Sequence, residues 1–342
     1  MICDEAFMSS SLDNPTNEHS VTPFGENAPP AVQHHIDVKS KLWSKEIYLD
    51  VCDRPSLSTL LDFINMIQNL SCNRVDSEPA TLNSRINHTY LSIPSSIRLS
   101  KTSLTLSYPL SDYGSVRDIL LKKCDRFNED LICAIFSRAV FCIDQLHSSG
   151  LLHRGLCCKH LLLRKKLATS SQSDEVEVVL CGLGSMAHLP PTWSSVARND
   201  LPFLYVAWRG WRVPESSESQ SSYSHPVAWY SPELLSQDFT GYSWSPDVYS
   251  LGLILYEMFT GKPPYAGCPP SLIFLKKMLH LDFPQLSSNN TRHPPSAQLE
   301  EIYNACTHYN PKQRPSTKDL LNMPWIQQGL NRPITSKELD SL

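Results

Sequence analysis

Apolar residues recur every three or four positions from 128 to 148, the spacing that places them along one face of a helix. Asn128 belongs to the residue types that cap helix starts, and Gly150 stands where such a helix would end. The same spacing returns later in the chain and predicts further helices at about 270–280, 296–307 and 316–327.

Another helix is predicted to begin at Ser245, Pro246 and Asp247, which supply a cap, a proline in the first turn and an acid near the positive helix end. The residues that follow, 248–260, are apolar on nearly every side until Gly261. A helix without a polar face belongs inside a core. We therefore expect this helix to be buried.

Strand-like segments are shorter than the helices. Residues 161–163 and 178–180 are apolar runs joined by polar residues, which predicts a strand pair. In the first half of the chain, 46–51 and 103–107 have weaker strand patterns, and 57–70 has helical spacing. Strands thus concentrate before the helices.

The order of these elements predicts an α+β fold with two lobes. A small, strand-rich lobe is expected at 31–107 and a larger helical lobe at 108–328, followed by a C-terminal tail at 329–342. The polar residues 1–30 are predicted to be a disordered tail, and 185–227 a long irregular loop.

Composition excludes several classes of function. The chain has 342 residues, a 41% apolar content and a net charge of −4, which suits a substantial core and gives no basic field for nucleic acid. Its acidic start lacks the apolar segment of a signal peptide, and no apolar run approaches the ~20 residues of a membrane span. The cysteines form no CxxC pair, as expected of free thiols in a reducing compartment. We expect neither nucleic acid nor a membrane as partner.

The segment His153–Leu161 (HRGLCCKHL) lies between a predicted helix and a predicted strand. It resembles the protein-kinase catalytic loop, H-R-D-L-x-x-x-x-N. The Asp of that loop accepts the proton of the substrate hydroxyl, and the Asn binds magnesium. Gly155 and His160 hold these two positions here. Glycine cannot accept a proton, and imidazole is a poor ligand for magnesium, which prefers oxygen.

A second motif, Leu180–Gly184 (LCGLG), stands where kinases have D-F-G. Gly182 replaces the Asp that holds magnesium against the phosphates, so the base and both metal ligands are missing together. Loss of a general base alone costs ~10²–10⁴-fold in rate, and the metal clamp supplies the main charge stabilisation. The sequence therefore predicts a catalytically inactive kinase fold, a pseudokinase, without a metal site.

The phosphate-binding half of a kinase site has also changed. The only placement of a glycine loop starts at Gly25, retains one glycine of three and contains Pro29 and Pro30, which have no N–H for a phosphate. Lys45 lies near the position of the ATP-contacting lysine, and Ile64 stands where its Glu partner is expected. A lysine before a strand is as often a solvated surface charge. Lys45 and Gly25 are thus weak nucleotide-binding candidates.

Residues that stabilise the large lobe of a kinase are kept. Ser231-Pro232-Glu233 resembles the kinase A-P-E, and Asp247 resembles the Asp that opens the central helix of that lobe. Arg314 resembles the late Arg that pairs with the A-P-E Glu. We predict a structural ion pair between Glu233 and Arg314.

A closer resemblance is to the sterile-twenty-related kinase adaptors, the STRAD family. Residues 113–120 (YGSVRDIL) are similar to the family's Y-G-S-x-x-D-L, and 153–162 to its H-R-S-V-K-A-S-H-I-L, in which His also replaces the Asn. Residues 181–185 (CGLGS) and 229–235 (WYSPELL) are similar to its S-G-L-R-S and W-L-S-P-E-V-L.

The resemblance implies a function in a complex. Members of that family bind a tumour-suppressor-type serine/threonine kinase together with an armadillo-like scaffold protein, activate the kinase allosterically and help hold it in the cytoplasm. It implies a cytoplasmic protein, with shuttling to the nucleus. It also makes Asn199, Asp200 and Leu201, in the activation segment, candidate partner contacts, with Gly184 where the family has an Arg near its partner.

Two alternatives stay open. One is a scaffold pseudokinase with a different client, and the other is a residually active serine/threonine kinase with an unusual base such as His160. The expected cofactor is none, with ATP bound without magnesium as the alternative, because family members bind ATP without transferring phosphate. The family's C-terminal W-E-F segment has no counterpart in the sequence, which leaves the mode of scaffold binding open.

Overall fold

The computed structural model describes residues 32–49, 61, 64–67, 90–123, 126–166, 174–188, 226–236, 243–286 and 294–342. Within these ranges strands dominate the first part and helices the second, so the predicted α+β class with two lobes is confirmed. Several predictions fall outside the described residues: the tail 1–30, most of the loop 185–227, and the candidates Gly25, Asn199, Asp200 and Leu201.

The small lobe contains an antiparallel sheet in the order β1-β2-β4-β3. Its strands are β1 (Val32–Asp37), β2 (Leu42–Tyr48), β3 (Ser96–Leu99) and β4 (Ser103–Pro109). The strand predicted at 46–51 begins earlier, because Trp43, Lys45 and Ile47 alternate with more exposed residues and share the buried face of β2. Because Lys45 is a charged residue at a buried position, the alternation of buried and exposed residues is not visible as an alternation of apolar and polar residues.

Two helices lead into the large lobe. The first, α1 (Val116–Lys122), starts with a capping box between Ser115 and Asp118. The second, α2 (Glu129–Ser148), starts at Asn128, whose side chain accepts the N–H of Leu131 at 2.8 Å. This confirms the helix predicted from the apolar spacing, and Gly150 follows it in a left-handed conformation with φ +72°.

Helix α2 is a core helix. Among the described helices, α2 has the length and apolar composition that a membrane-crossing helix would need. However, 72% of that stretch is buried inside the protein. Phe136, Val140 and Ile143 are fully buried within it. Its apolar content is therefore used in packing against the rest of the large lobe.

The other central helix, α4 (Ser245–Thr260), follows the short α3 (Pro232–Ser236) and is buried nearly all round, as predicted. It ends at Gly261, with φ +69°. The predicted capping role of Ser245 is wrong: Trp244 occupies the cap position without a side-chain hydrogen bond, and Ser245 is already helical.

The remaining helices are α5 (Pro270–Met278), α6 (Ala297–Cys306), α7 (Thr317–Leu321), α8 (Pro324–Asn331) and α9 (Ser336–Asp340). The single helix predicted at 316–327 is two helices, because Pro324 lacks the N–H needed to continue the first and is well suited to start the second. The lobe boundary predicted at 328 falls inside α8. The residues beyond it pack on the large lobe through buried Ile334 and Leu339.

Two small strand pairs follow α2 along the chain. The predicted pair is present as β6 (Leu161–Lys165) and β7 (Val176–Leu180). The other joins β5 (Leu151–Leu152) to β8 (Ala187–His188). The loop predicted from 185 thus contains the strand β8 near its start. A strand of two residues is too short to give a recognisable sequence pattern.

Candidate functional site

The loop that follows β5 is anchored by the first turn of α4. Asp247 is fully buried, and its carboxylate accepts the backbone N–H groups of His153 and Arg154, both at 2.8 Å. Its Oδ2 also lies 3.0 Å from Nε2 of His147, at the end of α2. One carboxylate therefore fixes the start of the predicted catalytic loop.

The charge balance at Asp247 favours its ionised form. Burial by itself raises the pKa of this carboxyl, but the hydrogen bond and charge of His147 and the hydrogen bond from the His153 N–H act against burial, and the pKa lies below its usual value. An ionised carboxylate is purely an acceptor. That suits a group whose neighbours are N–H donors.

His153 connects this loop to the segment containing Gly182. Its ring is fully buried, with Nε2 2.8 Å from the carbonyl oxygen of Cys181. The N–H of Gly155 donates to Nδ1 at 3.3 Å. Nε2 is therefore the protonated nitrogen and donates to Cys181. The two motifs singled out in the sequence are thus brought together through this imidazole.

The side chain of His160 fills the space beside Gly182. Its Nδ1 lies 2.5 Å from the carbonyl oxygen of Gly155, and the residue is 8% exposed. A Cβ built on Gly182 would lie 2.6 Å from both Cγ and Cδ2 of that ring, inside the closest distance that real Cβ atoms adopt. Gly182 also has φ +77°. With His160 in this position, a side chain at 182 has no room.

At the positions where the kinase motifs have the base and the magnesium ligands, the chain has Gly155, His160 and Gly182. The position predicted for the base, Gly155, offers only its backbone, and its carbonyl is engaged by His160. Within the described ranges no three His, Cys, Asp or Glu side chains are grouped so that they could hold a metal ion. The residues present therefore do not fit a magnesium site.

The other predicted candidates are spread over the structure. Lys45 lies within β2, opposite His34 of β1 and Leu106 of β4, and is buried. This corrects its predicted place before a strand and its interpretation as a solvated surface charge. Ile64 is helical and packs partly buried against the core. Gly184 is half-buried and lies in the 3-10 turn Leu183–Ser185.

The predicted ion pair is present at the end of the activation segment. Arg314 donates to both carboxylate oxygens of Glu233, at 2.5 and 3.0 Å. The arginine also donates to the carbonyl oxygens of Ser245, His308 and Tyr309. Its side chain is fully buried, whereas that of Glu233 is 12% exposed. The pair ties α3 to α4 and to the turn before α7.

Residues 65–326, more than half of the chain, match the family model described as "Protein kinase domain". The chain belongs to the protein kinase domain family. The order of β sheet, catalytic-loop segment and central helix in the structure is that of this fold.

Three relatives illustrate how far the similarity of this kinase domain extends. Serine/threonine-protein kinase PKH2 of Saccharomyces cerevisiae is 29% identical over 189 residues, which are 54% of this chain and 15% of the relative. Serine/threonine-protein kinase ppk11 of Schizosaccharomyces pombe is 26% identical, covering 66% of this chain and 58% of the relative. Germinal center kinase 3 of Caenorhabditis elegans is 21% identical, covering 65% and 35%. The chain thus spans less than two thirds of each of these relatives.

Sequence reasoning missed a buried ion pair beneath the catalytic loop of this kinase domain. Arg117 of α1 lies 3.1 Å from Glu257 of α4, with side chains 6% and 0% exposed. Burial raises the pKa of Glu257, while the charge of Arg117 and a hydrogen bond from Cys158 act against that rise. The only sequence signal is a glutamate inside an otherwise apolar helix, since a charge there requires a partner.

The crowding between His160 and Gly182 can be measured as stability. We expect Gly182→Ala to lower the free energy of unfolding by about 1–3 kcal/mol, because it combines a left-handed φ with a clash against the imidazole. In a His160→Ala background the clash is absent, so the same change should cost less. Urea denaturation of the four proteins gives the coupling. Equal costs in both backgrounds would mean that the ring does not occupy this space.

Proposed function

We propose that this kinase domain is a catalytically inactive pseudokinase adaptor, which binds and allosterically activates a serine/threonine protein kinase in a complex with an armadillo-like scaffold protein. The observation that carries the loss of catalysis is the His160 ring beside Gly182. The imidazole takes the room that a metal-binding side chain at 182 would need. Two replacements therefore fit one another sterically, as expected of a site that no longer holds magnesium.

Gly155 supports the same conclusion from the side of the base. A kinase needs a carboxylate here to accept the proton of the substrate hydroxyl. Loss of a general base costs ~10²–10⁴-fold, and loss of the metal clamp removes the main electrostatic stabilisation of the transferred phosphoryl group. Two of the relatives named above are called serine/threonine-protein kinases and the third a germinal center kinase, so this proposal separates the chain from them in activity while keeping their fold.

The adaptor role rests on the resemblance to the STRAD family and on a retained scaffold. The large lobe keeps two buried interactions that stabilise it, those of Asp247 and of the Glu233–Arg314 pair. A protein that transfers no phosphate still needs such interactions if its folded surface binds other proteins. We propose Asn199, Asp200, Leu201 and Gly184 as contacts of the client kinase. We further propose a cytoplasmic location with shuttling to the nucleus.

Reconstitution tests the activator role. The chain is mixed with the tumour-suppressor-type kinase and the armadillo-like scaffold of STRAD complexes, and phosphorylation of a client substrate is measured. We expect the rate to rise several-fold over the client with scaffold alone, and Leu201→Ser to reduce that rise. Leu121→Ser, at a leucine 55% exposed on α1, is the matched control and should activate like the parent chain.

The alternatives give different results in the same system. A scaffold pseudokinase with another client would bind neither protein. A residually active kinase would transfer label from ATP with magnesium or manganese in the chain alone; His160 would have to be its base, although Nδ1 faces the Gly155 carbonyl. We expect no transfer at high protein concentration. We also propose that the chain needs no cofactor; a thermal shift caused by ATP without magnesium would support nucleotide binding as a structural role only.

A further inference from the structure

The turn at the end of the activation segment, residues 226–230, is held by side chains of two neighbouring helices. The Nζ of Lys277, on α5, donates to the carbonyl oxygens of Ala228 and Tyr230, at 2.6 and 2.5 Å. The hydroxyl of Ser250, on α4, donates to the carbonyl oxygen between them, that of Trp229, at 2.9 Å. Three consecutive carbonyl oxygens thus accept from side chains, and two of the three depend on one lysine.

Lys277 reaches this turn from inside the protein. The residue is 3% exposed, and its Nζ lies 5.1 and 5.4 Å from the ring centres of Tyr249 and Tyr265. Among the residues that the structure describes, no carboxylate forms an ion pair with it, since Glu233 of α3 is bound by Arg314. The two ring faces stabilise a cation less than the water that burial removes. A neutral amine has two N–H groups, which is the number that the two carbonyl oxygens accept.

The charged and titratable groups around Lys277 make its opening sensitive to pH. Burial lowers the pKa of Lys277 well below its usual value near 10.5; the charge of Glu233 opposes this shift and that of Arg314 adds to it. Burial raises the pKa of both Tyr249 and Tyr265, so the phenols stay neutral while the amine titrates. If the turn separates from α5, water reaches the amine, which then binds a proton as an ordinary lysine does. Separation of the turn is therefore coupled to proton uptake.

We propose that Lys277 is a pH-responsive latch, which holds the end of the activation segment on α5 as a neutral amine and releases it when the amine becomes protonated. In the open state the ammonium is solvated, and the carbonyl oxygens of Ala228 and Tyr230 accept from water. The hydroxyl of Ser250 does not titrate, so its bond to Trp229 holds the turn equally at every pH. The latch goes beyond the proposed function and does not depend on the loss of catalysis.

Hydrogen exchange of the full chain, followed by mass spectrometry from about pH 6.5 to 9.5, tests the latch. After correction for the intrinsic pH dependence of amide exchange, the protection of residues 226–230 gives the opening constant of the turn. We expect this constant to rise as the pH falls below ~10.5, by up to tenfold per pH unit, because one proton is taken up. The amides of α2 report global unfolding and should open at least about tenfold less often.

Variants identify the group that binds the proton. Lys277→Met has no titratable nitrogen at this position and should open to an extent that does not change with pH. Lys276→Met is the matched control, at the neighbouring lysine that pairs with Asp282 at 3.3 Å, and should keep the parent profile. His280→Gln, in the turn after α5, should also keep it. Ser250→Ala should increase opening at every pH and leave the slope unchanged.

Several outcomes would overturn the proposal. A flat profile in the parent chain is the first, and it needs no variant, so it decides the matter even where Lys277→Met does not fold. An unchanged slope in Lys277→Met, or its loss in Lys276→Met or His280→Gln, would mean that another group binds the proton. Opening of residues 226–230 only together with α2 would mean that Lys277 is an ordinary part of the core and not a latch.

Discussion

Replacing Asp247 by alanine is expected to lower the free energy of unfolding by about 3–5 kcal/mol. The carboxylate is fully buried and accepts from the N–H groups of His153 and Arg154 and from His147. Without it, the buried N–H of His153 and the half-buried N–H of Arg154 lose their acceptor. The start of the catalytic loop would then lose its fixed conformation.

Urea denaturation measures this change, and an aspartate in an exposed cap provides the comparison. Asp319 belongs to the capping box at the start of α7 and lies at the surface, so Asp319→Ala should cost only ~1 kcal/mol. Similar shifts for both variants would show that Asp247 is an ordinary first-turn residue, as its sequence pattern suggested.

Acid provides an independent measurement of the same interaction. Burial acts to raise the pKa of Asp247, but its donors outweigh burial and hold the pKa below the usual value near 3.8. A carboxyl whose pKa is depressed by folding stabilises the fold above its unfolded pKa, and that contribution is lost as pH falls through the folded pKa. The stability difference between the parent chain and Asp247→Ala should therefore be constant from neutral pH to about pH 5 and shrink below about pH 4.

Arg314→Ala should have an effect of similar size, about 3–5 kcal/mol, because it removes one partner of a buried ion pair. The variant leaves Glu233 without its counter-charge and three carbonyl oxygens, those of Ser245, His308 and Tyr309, without their donor. It also removes the guanidinium that lies 4.8 Å from the centre of the Tyr249 ring. Arg314→Lys should recover only part of the loss, since an ammonium cannot reproduce the bidentate geometry.

A more exposed ion pair provides the control. Arg332 pairs with Glu338 at 2.6 Å, with side chains 31% and 19% exposed. Solvent screens such a pair, so truncating Glu338 to alanine should cost less than ~1 kcal/mol. If Arg314→Ala and Glu338→Ala shift the urea midpoint equally, the Glu233–Arg314 pair is not the structural anchor that its burial indicates.

Both of these predictions concern the large lobe, which retains its anchors while the predicted catalytic positions have changed. Asp247 holds the loop that contains Gly155, the position predicted for the base. Keeping a rigid loop without its chemical group is useful when the surrounding surface binds other proteins. The retained anchors therefore agree with the adaptor proposal, which reconstitution must test.

The longest elements could be predicted from local pattern. Helix α2 follows directly from its apolar spacing and the Asn128 cap, and β6 and β7 follow from two apolar runs. Patterns failed in two places, one decided by packing and one by a proline whose effect the apolar spacing does not show. The start of β2 was missed because Lys45 is buried against the core, and the helix predicted across 316–327 is divided at Pro324.

The candidate site divides in the same way. The residues Gly155, His160 and Gly182 could be found from motif spacing alone, and so could the pairing of Glu233 with Arg314. Motif spacing gave no sign that the His160 ring lies against Gly182, or that Arg117 meets Glu257, since these contacts join segments far apart in the chain.

By itself the sequence determined which chemical groups are present and where regular helices and strands can form, because residue types and their spacing act locally. It established that the predicted base and metal-ligand positions carry no carboxylate. Only the tertiary structure decided what these replacements do to one another. Packing brought His160 against Gly182 and buried Asp247 under the loop. Those outcomes depend on distances between remote segments, which no local pattern contains.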